Sequence, residues 1–134
     1  MRLIRTSPSD CISSGVAHSG SVIEVVLTGI PQGGAHPVAG GVVPEIGEIF
    51  RQLDEILLPE DLSWLNICSG RVYLADVDDV EAVNVEWRRY FEGHAPNRRC
   101  YGIALQLGMQ VEAAFVIEVE PGSMAVPRDG ATVV

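Results

Sequence analysis

A chain of 134 residues that is 47% hydrophobic can bury roughly two-thirds of the surface its unfolded form exposes, which predicts one globular domain over residues 1–134 and excludes a disordered one. With 9 basic against 18 acidic side chains the formal charge is −9, which speaks against a general nucleic-acid or anionic-membrane binder, since both need basic surface. Cys11, Cys68 and Cys100 show neither disulfide nor zinc spacing, no stretch approaches the ~20 apolar residues of a membrane span, and MRLIRTSPSD lacks the apolar run of a signal peptide, so a soluble cytoplasmic protein is expected.

The first element predicted is the β-branched run VIEVVLTGI, residues 22–30, with SSGVAHSG before it as a hairpin partner. Residues 31–41, PQGGAHPVAGG, read as a Gly- and Pro-rich connection without periodicity. Pro44 then opens a helix in which Ile46, Ile49, Phe50, Leu53, Ile56 and Leu57 recur at three- and four-residue steps, and Pro59 closes it. CSGRVYLA follows as a strand. Asp78 and Glu81 have the spacing of a capping box for a second helix with the stripe Val80, Val83, Trp87 and Phe91, stopping near Gly93. CYGIALQLGMQVEAAFVIEVE reads as two strands around a turn near Gly108, and the tail from Pro121 as irregular. The order β-β-α-β-α-β-β, with room for one more N-terminal strand, predicts an α+β fold with two helices on one face of a sheet.

Within this frame few residues carry chemistry. Asn84 falls on the apolar stripe of the second helix, where a buried amide needs partners. It either ties down a neighbouring loop, lines a site, or does both. In the last strand alternation places Val111, Ala113, Phe115, Ile117 and Val119 on one face and Glu112, Ala114, Val116 and Glu118 on the other. Partly apolar surroundings would raise the pKa of Glu112 and suit it to acid/base work, while a surface glutamate is the plainer alternative. Arg98 and Arg99 stand at a strand entry stiffened by Pro96, where a planar guanidinium can grip a carboxylate; alternation sends them to opposite faces. His18, His36 and His94 share no ligand spacing, and no GxSxG elbow, Walker loop or dinucleotide fingerprint occurs.

The run DVDDVEAVNVEWRRYFEGHAPNRRCYGIAL, followed by VEAAFVIEV, resembles the Rid/YjgF family of enamine/imine deaminases. The family's helix with a VN step and an aromatic end falls on Val83, Asn84, Tyr90 and Phe91. Its PxR strand entry falls on Pro96 and Arg98, and the glutamate opening its last strand on Glu112. VVLTGIP resembles the family's strand ending in a hydroxyl residue and a glycine, here Thr28 and Gly29. The resemblance implies a chorismate-mutase-like α+β fold, a homotrimer with pockets between subunits, and a reaction that needs no metal or other cofactor. It also implies a small carboxylate-bearing metabolite as ligand. Carried over by motif, Arg98 binds the carboxylate of an imino or enamino acid and Glu112 activates the water that releases ammonia. Thr28, Gly29 and Asn84 form the opposing wall, and the Cys100 backbone makes a polar contact.

If the last two strands pair about Gly108, Glu112 lies opposite roughly Leu105 and on the order of 20 Å from Arg98, at ~3.3 Å per residue. One small molecule cannot touch both within a subunit, so each site would draw on two chains. Deaminating members of the family carry an N-terminal tyrosine in the site, whereas the first tyrosine here is Tyr73, and Arg99 replaces a small residue. Two further functions are therefore kept open: a trimeric metabolite-binding or regulatory protein without turnover, and a pathway-specific enzyme such as an aminomuconate-type deaminase with a pocket enlarged near residues 31–41.

Overall fold

In the computed structural model, which describes residues 22–119 and the short strands β1 (Arg2–Leu3) and β2 (Gly15–Ala17), the first β-branched run forms β3 (Val22–Thr28). Its Ile23, Val25 and Leu27 are buried, as alternation requires of a strand covered on one side. β2 pairs antiparallel with β3, and β1 with β2, so the extra N-terminal strand is present. Helix α1 (Val42–Leu57) follows, then β4 (Ile67–Leu74), α2 (Val80–Phe91), β5 (Asn97–Gly102) and β6 (Val111–Glu118). The predicted α+β order is thus observed. Cys11, His18 and the tail from Pro121 lie outside the described residues.

The strands form a single sheet in the order β1-β2-β3-β6-β4-β5. Here the sequence expectation fails in one respect: β5 and β6 do not form a hairpin. β6 lies antiparallel between β3 and β4, while β5 pairs in parallel with β4 at the sheet edge. The burial of the two strands explains the exchange. Val111, Ala113, Ala114, Phe115 and Ile117 are all buried, so a central position removes the most apolar surface from water. β5 leaves Asn97, Arg99, Tyr101 and Gly102 exposed, a polar sequence suited to an edge.

Both helices cover the same face. α1 starts two residues before Pro44, whose missing N–H is harmless in a first turn, and buries Ile46, Ile49, Phe50, Leu53, Ile56 and Leu57. It runs into a short 3-10 turn, Leu58–Glu60, that contains Pro59. α2 buries Val83, Trp87 and Phe91. The predicted capping box of Asp78 and Glu81 does not form. A 3-10 turn, Val77–Asp79, precedes the helix instead, and Asp76 caps it by accepting from the Asp78 N–H at 2.9 Å. Glu92 and Gly93, with φ of 51° and 86°, end α2. Among the described residues no helix is long and apolar enough to cross a membrane.

Candidate functional site

Arg98 occupies the helix-covered side of β5. Its guanidinium lies 5.2 Å above the centre of the Trp87 ring and donates from Nη2 to the Asn84 Oδ1. Asn84, half-buried, donates in turn to Glu81 at 3.4 Å. The amide therefore does tie down a neighbour, and that neighbour is the candidate anion anchor. Arg98 makes no ion pair with any described residue, so its charge is left for something else. A cavity of about 300 Å³ lined by Asn84, Trp87, Pro96 and Arg98 opens beside it. Cys100, two residues on, shares this side of the strand in register with the buried Val72.

What fixes Trp87 is a residue without a side chain. Gly70 faces Arg98 across the β4–β5 ladder, and a Cβ there would sit 2.6 Å from Trp87 Cη2. The indole cannot retreat easily, because it stacks on Phe115 at 5.7 Å and packs against Phe91 at 4.9 Å. Its Nε1 is buried without a hydrogen-bond partner among the described residues. A Gly70→Ala variant is expected to lose about 1–3 kcal/mol in urea unfolding through overpacking, with an altered Trp emission spectrum reporting displacement of the Arg98 platform.

Glu112 lies on the opposite, uncovered side of the sheet. The ladders align Thr28, Glu112, Tyr73 and Tyr101 in one row across β3, β6, β4 and β5. Tyr73 and Tyr101 stack at 5.6 Å beside the carboxylate, and burial pushes the Glu112 pKa above the usual carboxylate range. Thr28 is buried, and its Oγ1 accepts the Ile30 N–H at 3.3 Å. A Cβ on Gly29 would lie 2.7 Å from the Glu45 Cβ, so this glycine lets α1 close on the end of β3.

Two functional supports were missed in the sequence, both polar residues inside the apolar stripe of α1. Glu45 is 2% exposed, and its Oε1 accepts the Gln110 N–H at 2.8 Å, tying the helix to the residue just before β6. Burial raises its pKa against the pull of the Gln110 and Val111 amides. Gln52, also buried, donates to the carbonyls of Thr28 at 3.2 Å and Ile30 at 2.9 Å. The signal was available: Glu45, Ile49, Gln52 and Ile56 follow one another at helical steps, so the amide and carboxylate had to point inward with the isoleucines.

The six candidate residues thus form two groups within one chain. Arg98, Asn84 and Cys100 lie on the helix side of β5, whereas Glu112 and Thr28 lie on the uncovered side of β6 and β3, with Gly29 just beyond. Asn84 does not share a wall with Thr28 and Gly29. Arg98 pairs with Gly70 and Glu112 with Tyr73, so the two are offset by about three residues and two strand spacings, on the order of 14 Å between Cα atoms. The separation of about 20 Å inferred from a hairpin is too long, because no hairpin forms. Among the described residues no group of His, Cys, Asp or Glu could hold a metal ion.

The family model described as Endoribonuclease L-PSP matches residues 14–119. The chain is similar to a 2-iminobutanoate/2-iminopropanoate deaminase of Rattus norvegicus, 33% identical over 89 residues that make up 66% of this chain and 65% of that protein. A protein of the same name from Mus musculus is 38% identical over 76 residues, 56% of each chain. The matched region thus spans less than two-thirds of these relatives. In the crystal structure of yeast Mmf1, 21% identical, the same fold covers 90% of this chain and 98% of that one with a TM-score of 0.77. The match runs through β3 to β6 and both helices, and with it the chain belongs to the Rid/YjgF family.

Proposed function

We propose that the protein hydrolyses small imine or enamine carboxylates without a cofactor, in a cleft between subunits of a homotrimer. The observation that carries this reading is the Arg98 guanidinium, positioned by Asn84 and Trp87, open to a cavity and without a carboxylate partner among the described residues. Arg98 binds the substrate carboxylate, the Asn84 amide holds its orientation, and the Cys100 backbone adds a polar contact. Since Arg98 and Glu112 face opposite sides of one sheet, the glutamate that completes each site comes from a second subunit, together with Thr28 and Gly29. Glu112 as carboxylate takes a proton from water while the oxygen attacks the imine carbon. Return of that proton to nitrogen gives the carbinolamine; transfer of the hydroxyl proton to the same nitrogen, again through Glu112, then breaks the C–N bond as the C=O bond forms, giving a 2-oxo acid and ammonia. The names of the rat and mouse relatives support this reaction type.

The test is ammonia release from 2-imino acids generated in situ by an amino-acid oxidase from short and bulky amino acids. The wild type is expected to accelerate release over buffer, and Arg98→Ala to raise KM by about 10- to 100-fold, the loss of one charge-assisted contact. Carboxylate binding without any acceleration would favour a metabolite-binding or regulatory protein, the function that the lack of a tyrosine before Tyr73 supports. Release confined to bulky substrates would favour a pathway-specific enzyme such as an aminomuconate-type deaminase.

A further inference from the structure

The uncovered side of the sheet carries a second arrangement of positive charge. Arg71 on β4 and Arg99 on β5 are direct partners in the parallel ladder, so their side chains rise from neighbouring strands about 4.8 Å apart. Like charges placed directly opposite destabilise a sheet. Neither arginine makes an ion pair or side-chain hydrogen bond with another described residue. In a chain with only 9 basic residues against 18 acidic ones, two of them stand side by side without an ion-pair partner among the described residues. Both line a groove of about 720 Å³ together with Glu24, Ser69, Asn97 and Arg98. Glu112 is in register with Tyr73, two residues along β4 from Arg71, which puts it on the diagonal from this pair on the same face.

We infer that Arg71 and Arg99 form an anion site on the face of the sheet opposite the Arg98 guanidinium, and that it takes a small dicarboxylate. Each guanidinium presents a planar fork to one carboxylate, and the strand spacing matches two carboxylates joined by a short carbon linker. A monocarboxylate neutralises only one of the pair and leaves the other arginine's repulsion in place. The site rests on the two arginines and the groove and holds whether or not the protein turns over an imine.

The probes are succinate, butyrate and inorganic phosphate, titrated by calorimetry at low ionic strength into the wild type and into Arg71→Met, Arg99→Met and Arg98→Met, with the molecular mass of each variant measured by light scattering. Succinate is expected to bind the wild type at least about tenfold more tightly than butyrate. That preference should vanish in Arg71→Met and in Arg99→Met and survive in Arg98→Met. Both of the first two variants, relieved of the charge repulsion, should also melt no lower than the wild type without ligand. Equal affinity for succinate and butyrate overturns the inference, as does a preference lost only in Arg98→Met. Tighter binding of phosphate than succinate overturns the dicarboxylate assignment. A preference lost together with a drop in molecular mass also counts against it, because the arginines would then be holding an interface.

Discussion

At substrate concentrations well below KM, Arg98→Ala and Glu112→Gln chains, each nearly inactive alone, are expected to recover up to about a quarter of wild-type ammonia release when unfolded together and refolded as mixed trimers. The number follows from chance: a site drawing Arg98 from one chain and Glu112 from the next receives the intact residue from each with probability one half. Sites built within a single chain would recover nothing, since every chain lacks one of the two groups. The experiment thus separates the two geometries by presence against absence of activity. Its basis is the placement of Arg98 and Glu112 on opposite sides of the β4 ladder, which no side-chain rotation overcomes. Recovery at the background level of the separate variants would remove the intersubunit site.

Glu112→Gln alone is expected to lower kcat by about 10²- to 10⁴-fold, the usual effect of removing a general base, while leaving carboxylate affinity nearly unchanged. The amide keeps the shape and removes only the proton acceptor. In the wild type kcat should rise with pH through a midpoint above the ordinary carboxylate range, because burial raises the Glu112 pKa and the ionised form is the active one. Stability should move the other way. A carboxyl whose pKa is raised by folding contributes stability below its ordinary pKa and loses it as pH climbs through the raised value. Glu112→Gln, neutral throughout, should therefore be more stable than the wild type at neutral pH, and the difference should close in acid. Glu48 opposes this trend, since its contact with Arg51 holds its pKa low and contributes stability that is lost as pH falls. Comparing the variant with the wild type at each pH cancels that contribution. A variant both inactive and less stable at neutral pH would identify Glu112 as a structural residue.

The sequence was informative where a pattern is local. Alternation assigned the two sides of β6 and of the Arg98–Arg99 pair, and helical spacing put Asn84 on the inner side of α2, because both depend only on residues a few positions apart. Strand order was not legible in the same way. β5 and β6 are consecutive and joined by a glycine turn, yet the parallel pairing of β5 with β4 depends on α2 as a crossover and on how little of β5 is apolar. The distance from Arg98 to Glu112 inherited that error. Glu45 and Gln52 were hidden for another reason. Polar letters in an amphipathic helix are read as solvent-facing by default, and only their exact phase with Ile49 and Ile56 argues otherwise.

The central position of β6 has a consequence for how the chain reaches its fold. β3 and β4 each keep one long edge unpaired until residues 111–118 arrive between them, and the Glu45 contact to Gln110 closes across 65 positions. Synthesis delivers β3, α1, β4, α2 and β5 first, so a nascent chain carries two open, apolar edges until β6 leaves the ribosome. Such late, long-range closure slows folding and offers those edges to other chains in the interval. Truncations that remove β6 should aggregate during translation, whereas loss of a terminal strand of the sheet should not carry the same hazard.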